Sequence, residues 1–167
     1  MRTVVERVIT NSEPSIETNL EEARAKEPMS KKETILLIDD DRSVREAVGE
    51  VLRQEGYSVV ALGSGKAVLE VVNSCAIDLA LLDLNLPDES GWDIFSQMAS
   101  HAPEIPIIIV TARSNQKFTA LAAGVGGLLE KPYNFPVLLD LIDQLIKAKQ
   151  AKNQPRKRGE KLQPHIV

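Results

Sequence analysis

Short apolar runs alternate along the chain with segments of helical hydrophobic periodicity, and this alternation constrains the fold more than any other feature. The clearest run lies in DLALLDLNLP at residues 78–87 and is closed by Pro87. An apolar run this short, followed by a proline, is typical of a strand buried on both faces of a sheet. Strands that alternate with helices pair in parallel through right-handed crossovers. The sequence therefore predicts an α/β fold, a five-stranded parallel sheet with helices on both faces.

We take the strand order to be 2-1-3-4-5, which is the flavodoxin-like winding. The predicted strands are 34–38, 57–62, 77–82, 105–110 and 127–130, and the predicted helices are 42–55, 64–73, 91–100, 115–123 and 134–147. Sheets of this kind gather ligands beyond the carboxyl ends of their strands, at the switch point of the winding. The residues that follow the strands are therefore the first candidates for a functional site.

Polar residues follow four of the five predicted strands. They are Asp39, Asp40 and Asp41 after the first strand, Asp83 after the third, Thr111 after the fourth and Lys131 after the fifth. A single aspartate after a strand usually caps a turn, but four strand ends of complementary chemistry are harder to attribute to capping. In the predicted winding the first and third strands are neighbours, so Asp39, Asp40 and Asp83 converge on one pocket.

The chemistry of such a pocket follows from its charge. Two carboxylates about 4 Å apart repel each other by roughly 4 kcal/mol at an effective dielectric constant of 20. Three carboxylates therefore require either a bound proton or a divalent cation, and hard oxygen ligands with open coordination positions suit Mg²⁺. With the amine of Lys131 and the hydroxyl of Thr111 beside it, the pocket has the groups needed to move a phosphoryl group onto a carboxylate.

Four segments resemble the signatures of receiver domains from two-component response regulators, the CheY-like family. These segments are ILLIDDD, LALLDLNLPDESGWDI, IIIVTAR and LLEKP, and they match in order and spacing over residues 32–147. The resemblance implies a response regulator receiver that accepts a phosphoryl group from a sensor histidine kinase or a phosphotransfer protein. By this resemblance the protein is a phosphoacceptor and not an enzyme in the usual sense, because it catalyses only its own phosphorylation and dephosphorylation. It would act on a downstream protein that the sequence does not identify.

The resemblance also assigns roles to individual residues. Asp83 matches the phosphoacceptor, and Asp39 and Asp40 match the acidic pair that holds Mg²⁺ together with Asp83 and the backbone carbonyl of Asn85. Thr111 and Lys131 match the hydroxyl and the amine that bind phosphoryl oxygens. Residues implied in switching or in phosphoryl lifetime are Asn85, Ala112, Arg113, Leu128 and Pro132, of which Pro132 forms a cis peptide in the family.

Two departures from the family pattern concern the switch. Leu128 stands three residues before Lys131, where receivers usually carry Tyr or Phe, and the preceding loop at 124–127 reads GVGG instead of containing acidic residues. Neither departure affects a side chain of the predicted pocket, so we expect the chain to keep the phosphorylation chemistry. Because glycines cost backbone order, we predict that the fourth helix and fifth strand form the most mobile edge of the sheet. In the family, the face that carries the switch is formed by the fourth helix, fifth strand and fifth helix.

Two other functions match parts of the sequence. A haloacid dehalogenase-type phosphatase uses an Asp-x-Asp after a strand, which Asp39 and Asp41 provide, but the chain lacks a cap domain and a further acidic pair after the lysine. That function would also leave Asp83 unexplained. Nucleotide binding at GSGK, residues 63–66, fails because a phosphate loop requires a glycine and a hydroxyl where Val60 and Ala67 stand.

The chain divides into a flexible N-terminal extension at 1–31, a receiver domain at 32–148 and a basic flexible tail at 149–167. Met29 precedes the first strand, so translation starting there is a hypothesis that N-terminal sequencing of the native protein tests. A receiver whose tail contacts DNA is the remaining alternative, although the net charge of −4 argues against a nucleic-acid-binding surface. A single cysteine fits a reducing compartment, and no apolar stretch reaches bilayer length. We therefore expect a cytoplasmic protein without a membrane partner.

Overall fold

One parallel sheet organises the part of the chain that the structure describes. The structure, a computed structural model, describes residues 32–87, 89–112 and 116–153. Its strands lie in the order β2-β1-β3-β4-β5, which confirms the predicted fold class and winding. The strands are β1 (Thr34–Ile38), β2 (Ser58–Leu62), β3 (Leu79–Asp83), β4 (Ile107–Thr111) and β5 (Gly127–Glu130).

Helices follow the strands in alternation. They are α1 (Arg42–Gln54), α2 (Val68–Ser74), α3 (Gly91–His101), α4 (Lys117–Ala123) and α5 (Phe135–Asn153), and a short 3₁₀ turn (Gly65–Ala67) precedes α2. The predicted single helix at 64–73 is thus divided into this 3₁₀ turn and α2. None of the described helices combines the length and the hydrophobicity that a bilayer span requires.

The core lies on both faces of the sheet. On one face α1 and α5 pack through residues such as Leu52 and Ile142, and on the other α2 and α3 pack through residues such as Val68 and Met98. Every residue of β3 and β4 is buried, because these strands have neighbours on both sides and helices on both faces. Their near-continuous apolar sequence follows from this position.

The strand register places the polar strand ends side by side. Ile38 of β1 pairs with Leu82 of β3, and Asp83 pairs with Val110 of β4. The residue after β1, the last residue of β3 and the last residue of β4 therefore reach the same edge of the sheet. Chain segments more than forty positions apart meet there.

The last helix is longer than predicted. It was expected to end at residue 147 but continues to Asn153, so the first residues assigned to the flexible tail are helical. The ammonium group of Lys149 donates to the carbonyl oxygens of Ile77 and Asp78 at 2.9 and 3.3 Å. These contacts with the segment leading into β3 stabilise the extra turn. Residues 1–31 and 154–167, including the rest of the tail on which the DNA alternative depends, lie outside the described residues.

Candidate functional site

Three aspartates form an acidic cluster at the carboxyl edge of the sheet. Asp39 and Asp40 follow β1, Asp83 ends β3, and each contributes one carboxylate oxygen to a group within 4.8 Å of one another. The side chains of Asp39 and Asp83 are buried, 4% and 5% exposed, whereas Asp40 is exposed. Two of the carboxylates are therefore shielded from bulk water while the third faces it.

Lys131 joins the two buried carboxylates. Its Nζ donates to Asp83 Oδ2 at 2.6 Å and to Asp39 Oδ2 at 2.9 Å. Burial alone lowers the pKa of Lys131, but the hydrogen bonds and charges of Asp83 and Asp39 outweigh it and raise the pKa above its ordinary value. The lysine is thus held as a cation, and it offsets part of the repulsion between the carboxylates.

The remaining oxygens of the buried carboxylates are fixed by their own loops. Asp39 Oδ1 accepts the backbone N–H of Asp41 at 2.9 Å, and Asp83 Oδ1 accepts that of Asn85 at 2.8 Å. Each carboxylate is consequently held from two sides, by the backbone on one oxygen and by Lys131 on the other. Carboxylates restrained in this way stay oriented without a further ordering cost when a ligand arrives.

Thr111 lies beside this group at the end of β4. Its side chain is fully buried, and its carbonyl oxygen accepts the backbone N–H of Lys131 at 2.9 Å. The peptide bond between Lys131 and Pro132 is cis, as the resemblance implied. Asp83, Thr111 and Lys131 therefore come from the ends of three adjacent strands.

The donor set fits a magnesium ion. Three carboxylates supply hard oxygen ligands within a few ångströms, and one of them is open to solvent, which suits a cation that keeps several water ligands. The carbonyl of Asn85, the fourth ligand that the resemblance implies, lies two positions after Asp83 on the half-buried loop. Its role as a ligand stays a prediction.

Asp41 does not take part in the cluster. Its carboxylate accepts the backbone N–H groups of Ser43 at 2.7 Å and Val44 at 3.2 Å, and so caps the N-terminus of α1. The phosphatase alternative required Asp41 as the second acid beside Asp39. The structure gives that alternative no support.

The predicted switch residues are spread around this edge of the sheet. Ala112 is exposed, and Leu128 is half-buried and packs against the core cluster of α2 and α3. Arg113 lies outside the described residues. The roles of these residues in switching stay predictions.

Two hydrogen bonds and one half-buried tyrosine near the site were missed from the sequence. Arg45 Nη1 donates to the carbonyl oxygen of Asp39 at 2.6 Å, and Trp92 Nε1 donates to Gln116 Oε1 at 3.0 Å. Tyr133 is half-buried, and the pKa of its phenol is raised above the ordinary value. Burial is the main cause; Lys131 opposes it, and the charges of Asp39 and Asp83 add to it. The position of Tyr133 directly after Lys131 and Pro132 could have indicated that it lies near the site. No sequence signal connects Trp92 with Gln116.

Comparison with known proteins gives consistent matches over the described part of the chain. The family profile "Response regulator receiver domain" matches residues 35–143. Response regulator MprA of Mycolicibacterium vanbaalenii is 33% identical over 115 residues, which are 68% of this chain and 50% of that protein. Transcriptional regulatory protein GlrR of Escherichia coli is 34% identical over 114 residues, 67% of this chain and 26% of that protein. The chain spans half or less of the length of these curated relatives.

Solved structures match over most of the chain. A CheY-like response regulator receiver domain protein from Methanospirillum hungatei superposes with a TM-score of 0.69 and 26% identity, covering 74% of this chain and all of that one. Response regulator protein TrrA from Thermotoga maritima, solved in complex with Mg²⁺-BeF, gives a TM-score of 0.63 at 27% identity and covers 68% of this chain and 98% of its own. The fold agrees with that of these solved receiver domains.

Proposed function

The chain belongs to the receiver-domain family of two-component response regulators, and from this membership we propose that Asp83 accepts a phosphoryl group from a phosphohistidine. The donor is a sensor histidine kinase or a phosphotransfer protein. The observation that carries the proposal is the bridge from Lys131 Nζ to both Asp83 and Asp39, at 2.6 and 2.9 Å. This bridge places a fixed cation against the carboxylate that receives the phosphoryl group.

In the proposed reaction a carboxylate oxygen of Asp83 attacks the phosphorus of the phosphohistidine. The new bond is between that oxygen and phosphorus, the bond between phosphorus and the imidazole nitrogen breaks, and the imidazole leaves with the electron pair. Mg²⁺ held by Asp39, Asp40, Asp83 and the carbonyl of Asn85 supplies positive charge that offsets the charge of the phosphoryl oxygens. Most of the protein's contribution is positioning and electrostatic stabilisation.

Lys131 and Thr111 act on the product. Phosphorylation converts the Asp83 carboxylate into an acyl phosphate, so Lys131 then pairs with a phosphoryl oxygen while the Thr111 hydroxyl donates to another. These contacts exist only in the phosphorylated protein, and they therefore bias the equilibrium between two arrangements of the face formed by α4, β5 and α5. A downstream protein reads that face. Attack of water on phosphorus later releases inorganic phosphate and restores the Asp83 carboxylate.

The proposal is tested by incubating the protein with acetyl phosphate and Mg²⁺ and mapping the added mass to a residue. We expect one phosphoryl group on Asp83, and no labelling in an Asp83→Asn variant. Asp93→Asn is the matched control because Asp93 is an exposed aspartate on the neighbouring helix α3. Lys131→Ala should leave labelling partly intact, since it removes a charge but not the acceptor, and should impair signalling. Labelling that persists in Asp83→Asn would contradict the proposal.

A further inference from the structure

Arg45 is a cation beside the acidic cluster that the proposed reaction does not use. It lies in the first turn of α1, it is half-buried, and within the described part of the chain its guanidinium group forms no ion pair with a carboxylate. Its Nη1 instead donates to the backbone carbonyl oxygen of Asp39 at 2.6 Å. Hydrogen bonds from a charged donor are shorter and stronger than those between neutral groups. This bond therefore restrains the Asp39 carbonyl firmly.

The restrained carbonyl belongs to the peptide group that joins Asp39 to Asp40. The rest of Asp39 is held by its neighbours, because its backbone N–H donates to the carbonyl of Leu62 at 3.2 Å and its Oδ1 accepts the N–H of Asp41 at 2.9 Å. The carboxylate of Asp40 is exposed and accepts no hydrogen bond from the described residues. Its direction therefore depends on the backbone that carries it, and Arg45 is the side chain that holds this backbone.

Gly63 leaves the space in which the guanidinium group lies. It is the residue after β2, and a Cβ there would lie 3.2 Å from Arg45 Nη1 and 3.3 Å from Arg45 Cζ. Because β2 is the neighbour of β1 in the sheet, the guanidinium group contacts the loop after each of these strands. It can move away from Gly63 only if its hydrogen bond to Asp39 changes.

We propose that Arg45 is a positioning residue for the magnesium site of Asp39, Asp40 and Asp83, and that it holds the peptide between Asp39 and Asp40 so that the exposed carboxylate faces the two buried ones. This inference rests on the proposed function, because Mg²⁺ is the cation of the proposed phosphoryl transfer. Groups that orient metal ligands without touching the metal typically contribute roughly 10- to 100-fold to metal affinity. Arg45 orients one carboxylate of three, so the lower end of that range applies.

The charge of Arg45 and its hydrogen bond act on Mg²⁺ binding in opposite directions. A guanidinium group close to the cluster repels a divalent cation, so loss of the charge alone would tighten binding. Loss of the hydrogen bond would allow other orientations of the peptide and would weaken binding. The sign of the change therefore distinguishes positioning from simple electrostatics.

The experiment is a calorimetric titration of the full chain with Mg²⁺. Arg45→Met keeps an apolar stem, removes the donor, and should bind Mg²⁺ about tenfold more weakly than the wild type. Arg42→Met is the matched control, because it removes the same charge from the same helix, whereas Arg42 is exposed and pairs with Glu46 at 2.7 Å. Arg42→Met should bind Mg²⁺ as the wild type does or more tightly. Unchanged or tighter binding by Arg45→Met, or equal weakening by both variants, overturns the proposal.

A second variant leaves Arg45 itself in place. The Cβ of Gly63→Ala must displace the guanidinium group by a few tenths of an ångström, which disturbs its bond to Asp39. We expect Gly63→Ala to weaken Mg²⁺ binding in the wild type and to have no further effect in an Arg45→Ala background, because the atoms that the Cβ would meet are then absent. No weakening in the wild type, or equal weakening in both backgrounds, would contradict the role of Arg45.

The Mg²⁺ dependence of acetyl phosphate labelling distinguishes positioning from a loss of stability. In Arg45→Met the Mg²⁺ concentration for half-maximal labelling should rise about tenfold, while the rate at saturating Mg²⁺ stays near that of the wild type, because the groups that contact the phosphoryl group are unchanged. A lower maximal rate at an unchanged Mg²⁺ requirement would indicate a structural role only and would overturn the proposal.

Failure of the proposed function would be recognised separately. If the wild type binds Mg²⁺ but accepts neither a phosphoryl group nor beryllium fluoride, which imitates a phosphoryl group on an aspartate, the proposed role of Asp83 fails. The calorimetric comparison of Arg45→Met with Arg42→Met would still decide whether Arg45 positions the acids. A wild type that binds no Mg²⁺ would overturn this inference directly.

Discussion

At the scale of single residues, the charge of Lys131 sets the balance of the site. Its ammonium group contacts Asp83 and Asp39, and it is the cation that their paired carboxylates share in the described part of the chain. In the reaction proposed above, the same ammonium group would also pair with the phosphoryl group. Lys131 would then be a counter-ion in the resting state and a phosphoryl ligand in the phosphorylated state.

This balance predicts a pH dependence of stability. Asp83 and Asp39 overcome the effect of burial and raise the pKa of Lys131 above its ordinary value of 10.5. A raised folded-state pKa means that the stabilisation is fully present below the unfolded-state value and is lost as pH rises through the folded-state value. We expect the difference in unfolding free energy between wild type and Lys131→Ala to be constant up to the unfolded-state pKa of Lys131, about 10.5, and to decrease at higher pH, as followed by urea unfolding. A difference that increases with alkalinity would contradict this.

A second prediction at this scale concerns Gly91. A Cβ at this position would lie 2.5 Å from Leu84 Cα, a backbone atom that a rotamer change does not displace. We expect Gly91→Ala to lower the free energy of unfolding by about 1–3 kcal/mol, the usual cost of overpacking, and to slow acetyl phosphate labelling of Asp83 because the adjoining loop shifts. Denaturant unfolding and labelling kinetics measure the two effects.

Gly49 provides the matched control. It is also a buried helical glycine, but the atoms nearest to a Cβ there would belong to the guanidinium group of Arg53, the first at 3.2 Å. That flexible group can move aside, and alanine has the higher helix propensity. Gly49→Ala should therefore be neutral or stabilising and should label normally. Equal destabilisation by both substitutions would show that the contact with Leu84 is not the cause.

At the scale of elements, the end of α5 is fixed by Lys149. Its side chain is largely buried and donates to the carbonyl oxygens of Ile77 and Asp78. Lys149→Met keeps the apolar stem but leaves these acceptors without that donor, so we expect a loss of about 1–3 kcal/mol in unfolding free energy. Lys147→Met is the control, because Lys147 makes an exposed ion pair with Asp143 one turn earlier. Its loss should have no measurable effect, and similar losses for both variants would argue against a specific role of Lys149.

Some features of the fold and of the site could be predicted from the sequence, and others could not. The bounds of β1 and β5 were predicted at the residues observed, because apolar runs and the polar residues beside them are local signals. The approach of Asp83 to Asp39 followed from strand order, which is a global rule. The end of α5 and the contact between Trp92 and Gln116 depend on side chains that meet across the fold. Periodicity within one segment carries no information about such meetings.

At the scale of the whole molecule, the two edges of the sheet should differ in dynamics. β3 is buried along its whole length between β1 and β4, whereas β5 pairs with β4 alone among the described strands and its residues are half-buried or exposed except for Leu129. Gly126 and Gly127 stand at its start, and glycine loses more conformational freedom on ordering than other residues. Local opening should therefore cost least along α4 and β5.

Amide exchange across the sheet tests this expectation, with β2 as the reference because it is the opposite edge and contains no glycine. The N–H groups of β5 and α4 should exchange fastest, those of β2 more slowly, and those of β3 slowest. Binding of beryllium fluoride with Mg²⁺ should slow exchange in β5 and α4 more than in β2, since Lys131 follows β5 directly and would pair with the added group. Exchange in β5 as slow as in β3 would show that this edge is already rigid, and the switch would then require a different moving element.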